Sequence, residues 1–451
     1  MSIQATLQLR KEELQRRVEA LPKEVNAWKE RTKNDLDSNL HFSQLQAISI
    51  LMEQFTGQQS SFLGQMDPAG DPLTFQNALL DLVKSIIQSQ RVWDFFRDKL
   101  DLRFSPTFKE ILWVADTVAW DCYQPVLDEA ANAGILARAT LREPPLTYLT
   151  AEFSPATWFR GSRPNDGRDY HLSTALLPIP VIELPWDHVE NIWEFMSLHH
   201  EVGHDLEADL TLRTPLAASL QKALGDAGVP AERITQWLSW QAEIFADLVG
   251  LQLGGPSFAE ALMHLLLLPA TMVTTFNPTD PHPTHYPRIL MNAAYLPTMI
   301  ENHQPLVEQS QQIADRWIAL YGKQSQFDPV ISDFPIVFRA LMDTPLPELN
   351  GKSVRQLLPY TVADDLRIRN AVDYMRTGMN TPSNLRPRHC ISAARMAVTQ
   401  ASIEGDMSMD LLNNINQRTA RLVHSNAPGG LRGGDSSTPH KQFIASFVDK
   451  F

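Results

Sequence analysis

The chain is 451 residues long, 43% hydrophobic and 20% charged, proportions of an ordinary globular protein large enough for two or three structural units. A net charge of −13 argues against a general nucleic-acid binder, because phosphate affinity needs a basic surface. Two cysteines, Cys122 and Cys390, are too few and too far apart for a disulfide framework or a cysteine zinc site, and read as buried thiols.

The first seventeen residues, MSIQATLQLRKEELQRR, lack an apolar signal-peptide core and turn charged at once. The strongest apolar run, 261–273, is too short to span a bilayer and is interrupted by His264 and Pro269. A cytoplasmic protein with no membrane span is the expectation. To about Arg142 the pattern is helical. Leu9, Leu14, Val18 and Leu21 recur at helical spacing among charged residues, and similar patterns run through 40–55, 75–100 and 106–133. Glu143-Pro144-Pro145 breaks the pattern and bounds a helical N-terminal region, 1–143.

From Leu146 the texture changes to short strands. Tyr148, Phe153, Phe159, Tyr170 and the run Ile179-Pro180-Val181-Ile182-Glu183-Leu184 carry them, with a polar turn at Arg163-Pro164-Asn165-Asp166-Gly167. Pro180 and Pro185 confine the last strand to a sheet edge or a strand end. An unpaired edge there could bind an extended peptide through backbone hydrogen bonds. Asp187 and Glu190 fit a capping box opening a helix that Ile192, Trp193, Phe195, Met196 and Leu198 make apolar on most sides. Such a helix belongs at the centre of a domain.

That helix carries His200-Glu201-Val202-Gly203-His204, an H-E-x-x-H sequence. Four-residue spacing puts both histidines on one helical face, where their imidazoles reach one metal ion, zinc by this signature. Glu201, rotated by about 100°, would stand beside the metal's open position and take a proton from water. His199 points to another face and reads as a packing residue. Continuation as H-x-x-G-x-x-H is excluded, because Glu207 and Leu210 stand where Gly and His would be.

Two further helices are expected at 215–224 and 231–253, the second ended by Gly254-Gly255. In the second, Glu243 and Asp247 share a face in an apolar setting, which is costly for two carboxylates unless each has a partner. Zinc beside Glu243 and an imidazole N–H beside Asp247 would satisfy both, although Glu207, Asp209 and Asp247 itself compete as the third ligand. Ser257-Phe258-Ala259-Glu260 reads as another capping box. Beyond Tyr295 the chain is mainly helical, with a break at Asn350-Gly351 and a Gly-rich flexible stretch over 426–438 that lacks the Gly-Lys-Ser/Thr of a phosphate loop.

H-E-x-x-H followed by E-x-x-x-D on a later helix resembles the gluzincin clan of zinc metallopeptidases. In that clan the Glu, here Glu243, is the third zinc ligand, and the Asp, here Asp247, orients a ligand histidine. Asp280-Pro281-His282-Pro283-Thr284-His285-Tyr286-Pro287-Arg288 contains H-P-x-x-x-x-R, similar to the stretch after the third ligand in CAAX-prenyl endopeptidase and HtpX-like gluzincins. The resemblance covers His200 to Arg288. It implies that His282 stabilises the oxyanion and that Arg288 braces the site, with His285 and Tyr286 as alternatives for the first task. Arg288 on a site carboxylate and Arg288 on the surface are both open.

The expected fold is mainly α (α+β). A zincin-like catalytic core with a small edge sheet, 144–300, is flanked by helical regions at 1–143 and 301–451. The expected function is zinc-dependent hydrolysis of a peptide or protein substrate, with Glu201 as general base. The alternatives are a zinc hydrolase acting on another amide or ester, and a catalytically silent interaction protein on the same fold; an intact Glu201 argues against the latter.

Overall fold

The computed structural model describes residues 2–32, 41–136, 143–162, 176–277 and 280–427. Three long helices, α1 (Ile3–Thr32), α2 (Phe42–Gln65) and α3 (Pro72–Asp101), form an N-terminal bundle. α1 buries one stripe, Leu7, Leu14, Val18, Leu21, Val25 and Trp28, and leaves Leu9 exposed. α3 begins where the Asp71 carboxylate accepts from the Thr74 N–H at 2.8 Å, with Pro72 in the first turn.

Next, α4 (Lys109–Asn132) is buried on nearly every side, from Ile111 to Ala130. It joins the main apolar core and not the bundle.

Three strands follow: β1 (Leu146–Thr150), β2 (Ala156–Trp158) and β3 (Val181–Pro185), in the order β1-β3-β2. β3 pairs parallel with β1 and antiparallel with β2. Of the two placements open to the prolines, a sheet edge or a strand end, the second is found: β3 is the central strand, and Pro180 and Pro185 fall at its ends, where a missing N–H costs no ladder bond. The edge on the side of the antiparallel pair is β2. Alternation along the strands gives the sheet two covered faces. Leu149, Ile182 and Leu184 join the core built on α4, while Leu146 and Val181, with Tyr148 and Trp158, pack against the N-terminal bundle. Arg103 ties these layers together, donating to the Asp116 carboxylate of α4 at 2.8 Å and to the Thr147 carbonyl of β1 at 2.6 Å. Tyr170 and the Arg163–Gly167 turn lie outside the described residues.

The capping box at Asp187 does not form. Two 3-10 turns, Trp186–Val189 and Ile192–Met196, stand where one long helix was expected, and α5 (Ser197–Asp209) starts only after them. The break has an external cause, because Asn416 accepts from the Ile192 N–H at 3.0 Å and donates to the Glu190 carbonyl. Next come α6 (Arg213–Asp226), α7 (Ala231–Gly254) and α8 (Pro256–Leu265). Gly255, at φ 63°, ends α7 and turns directly into α8, so the second capping box is also absent. Ser257 instead donates to the Ser392 carbonyl at 2.8 Å, and Glu260 pairs with Arg316.

The remaining helices are α9 (Ala270–Thr274), α10 (His285–Met299), α11 (Gln304–Tyr321), α12 (Asp328–Phe338), α13 (Val354–Leu357), α14 (Val362–Thr377), α15 (Pro387–Glu404) and α16 (Met409–Asn426). The expected break at Asn350-Gly351 is a left-handed turn, φ 51° and 78°. α15 is a central element: Cys390, Ser392, Ala393, Ala394, Ala397 and Ala401 are fully buried small residues that let it lie close against α4, α7 and α8. The Gly-rich stretch lies outside the described residues from Pro428 onward. The architecture is thus mainly helical with one small sheet. Among the described residues no helix is long and apolar enough to cross a membrane.

Candidate metal centre

α5 and α7 cross at Gly203. A Cβ there would meet the Ala246 Cα at 2.9 Å and its carbonyl oxygen at 3.1 Å, so the two backbones touch with no side chain between them. This contact sets the histidine face of α5 against the acidic face of α7. His204 Nε2 lies 3.1 Å from His200 Nε2, and Glu243 oxygens lie 3.4 Å from the His200 and 3.3 Å from the His204 nitrogen. Among the described residues these three form the one group of His, Cys, Asp or Glu able to share a metal ion.

The donor set fits a tetrahedral cation. Ligands at about 2.0–2.1 Å in tetrahedral geometry stand roughly 3.3 Å apart, which is the spacing found. The fit is also chemical. His200 Nδ1 is 2.9 Å from Asp247 Oδ1, and a neutral imidazole carrying its proton on that nitrogen turns its Nε2 lone pair toward Glu243 and His204. Two imidazoles and a carboxylate suit zinc, and do not by themselves exclude other transition metals.

Asp247 is fully buried and fully engaged. Arg288 grips it with Nε–Oδ2 at 2.7 Å and Nη2–Oδ1 at 2.8 Å, and Asn292 donates to it at 3.1 Å. Burial alone would raise its pKa, but the Arg288 charge and hydrogen bonds from Arg288 and His200 bring it down to about 2. The same guanidinium reaches Glu243 at 3.2 Å. Burial opposes ionisation of Glu243 too; hydrogen bonds from His200 and His204 and the Arg288 charge hold it far below the usual carboxylate range. Arg288 thus pairs with the site and is not a surface residue.

Glu201 lines the same cavity, 6% exposed. Burial pushes its pKa up, and the neighbouring Glu243 charge adds to this, against the two histidines. His282, from the loop before α10, stands at the mouth with its side chain 51% exposed and Nε2 3.7 Å from Glu243. Asp280 fixes its orientation, accepting from the His282 backbone N–H at 2.9 Å and lying 3.0 Å from Nδ1. The signal for Asp280 is in the sequence: an acid two residues before a histidine closes a local turn on the backbone.

Tyr286 is not brought to the site. It is buried on the opposite side of the first turn of α10, where its ring stacks on Phe327 and its hydroxyl accepts from the Gln324 N–H at 3.3 Å. Its neighbour His285, about 100° round the helix, does line the cavity. Glu207 and Asp209, the competing acids, are engaged elsewhere: Glu207 with Arg213 and Gln241, Asp209 with Arg160 and Tyr123. His199 is wholly buried away from the cavity, and burial with the nearby Arg388 charge lowers its pKa to about 3.

The cavity holds about 660 Å³. One wall is the segment from Phe153 through the β2 residues Ala156 and Thr157, and the opposite wall is α8. A scan against protein families finds no match, and searches of curated proteins and of solved structures find none either.

Proposed function

We propose that this chain is a zinc-dependent metallopeptidase of the gluzincin type, with a zincin-like core made of the small sheet, α5 and α7. The observation that carries the reading is the convergence of His200, His204 and Glu243 from two helices to ligand spacing, with Glu201 in the same cavity. A zinc ion held by these three residues would polarise a scissile carbonyl and lower the pKa of water.

The chain's own residues have separable tasks. Glu201 accepts a proton from the attacking water and returns it to the leaving nitrogen, and its raised pKa suits a group that must do both. His282, held by Asp280, donates to the oxygen that gains negative charge. Asp247 sets the tautomer of His200, and Arg288 holds Asp247 and Glu243 in place. β2 supports a peptide or protein substrate, because this edge strand borders the cavity and can accept an extended chain. Cys122 and Cys390 are buried free thiols, which supports the cytoplasm as its compartment.

Glu201→Gln tests the reading. The variant should keep its metal and lose turnover by about 10²- to 10⁴-fold on a peptide digest. Undiminished cleavage would remove Glu201 as the base.

A further inference from the structure

The cavity has two unlike halves. Toward the C-terminal end of α5 it is mixed, with Thr157 and Phe159 leading to Arg213, whose guanidinium is held by Glu207 at 2.8 Å and otherwise faces water. Seven residues the other way along α5, from His204 to Ser197, is a shift of about 10 Å. There the wall becomes apolar, with Met196, with Phe258, Ala261, Leu262 and Leu265 on α8, and with Leu266 just past its end.

This arm begins at the candidate centre itself. The Phe258 ring lies parallel to the His200 imidazole, 6.4 Å between centroids and 6° between planes. Phe258 is fixed from behind, since a Cβ at Gly250 would meet its ring at 2.6 Å. α8 is fixed as well: Ser257 is tied to α15, Glu260 to Arg316, and Arg395 donates to the Glu260 carbonyl at 3.2 Å. The acid bordering the arm, Glu194, is already paired with Arg395 at 2.7 Å and so offers no free charge. The apolar surface then continues outward to Met272, which lines the rim and is 58% exposed. A fixed apolar wall lining a cavity beside a metal-ligand cluster is a recognition surface, since a concave site lined by apolar side chains with a few polar groups at one end is how small apolar groups are bound and oriented.

We propose that the α8 arm is the subsite for one large apolar side chain of the substrate, a leucine, phenylalanine, methionine or isoleucine adjoining the scissile bond. The name of the occupant rests on the peptidase reading; the apolar preference does not.

Binding and cleavage separate the two. Blocked pentapeptides carrying Gly, Ala, Leu, Phe, Asp or Lys at the centre of an Ala/Gly frame are titrated calorimetrically into the zinc-loaded Glu201→Gln protein. Leu and Phe should bind about 10- to 100-fold more tightly than Gly, the range expected for burying one such side chain. Ala261→Phe, added to that background, should fill the arm and abolish the ratio, while Leu262→Ala should enlarge it and favour Phe over Leu. Melting curves of both variants report any loss of fold. Tightest binding of Asp or Lys, no binding of any peptide, or a ratio unmoved by both substitutions overturns the subsite. The same peptides are then offered to the zinc-loaded protein with Glu201 intact. If Leu and Phe peptides bind and none is cut, the arm stands and the peptidase reading falls. Cleavage indifferent to Leu and Phe leaves a peptidase without this subsite.

Discussion

Asp247 is charged, fully buried and in contact with three partners, His200, Arg288 and Asn292, so its position decides where the His200 lone pair points. Asp280 performs the same service for His282 from the exposed side of the cavity. Removing such an orienting carboxylate costs about 10- to 100-fold in activity. Asp280→Ala should therefore lower kcat by that factor with KM changed less than about threefold and zinc content unchanged. An unaltered kcat would show that His282 needs no positioning or has no part in turnover. At this scale the sequence was readable where spacing encodes geometry. Residues four apart on a helix share a face, which placed His200 with His204 and Glu243 with Asp247. The 280–288 stretch offered no such rule for its loop half, so the choice among His282, His285 and Tyr286 waited on where α10 begins. Starting at His285, the helix turns Tyr286 into the core.

Between helices, the decisive contact is the α5–α7 seam. Gly203 occupies one of the two variable positions of H-E-x-x-H, and glycine is required there because the Ala246 backbone passes at 2.9 Å from where a Cβ would be. Gly203→Ala should cost about 1–3 kcal/mol of stability, since neither backbone can yield without moving its helix. It should also weaken zinc retention, because the same displacement draws Glu243 away from His200 and His204. Urea unfolding and metal content check this together; a variant as stable as its parent would mean that the seam tolerates separation. Element boundaries were legible where the chain itself supplies the stop, as at Gly254-Gly255 after α7. They were not legible where a distant residue intervenes. Asn416 interrupts the expected helix at Glu190–Ile192 from more than two hundred residues away, and no local pattern announces it. The strand order belongs to the same category, because pairing partners are chosen by what covers each face of the sheet.

For the whole molecule, one contiguous apolar core runs from Ile111 in α4 to Val423 in α16. The region 144–300, which carries every candidate site residue, shares its packing with α4 on one side and α15 on the other. That region alone should consequently fail to fold: the isolated fragment 144–300 is expected to show no cooperative thermal transition, whereas the full chain shows one for this core. A sharp transition in the fragment would make it a domain in its own right. The burial of α15 was not legible in the sequence, because a helix of alanines, serines and arginines signals close packing only once its neighbours are known.

The account stands on a metal ion shared between α5 and α7, and zinc content per chain measures that claim most directly. After dialysis against buffer treated to remove metals, the protein should retain about one zinc per chain. His204→Ala and Glu243→Ala, each still folded by circular dichroism, should lose it. No retained zinc in the parent protein, or full occupancy in both folded variants, would contradict the account.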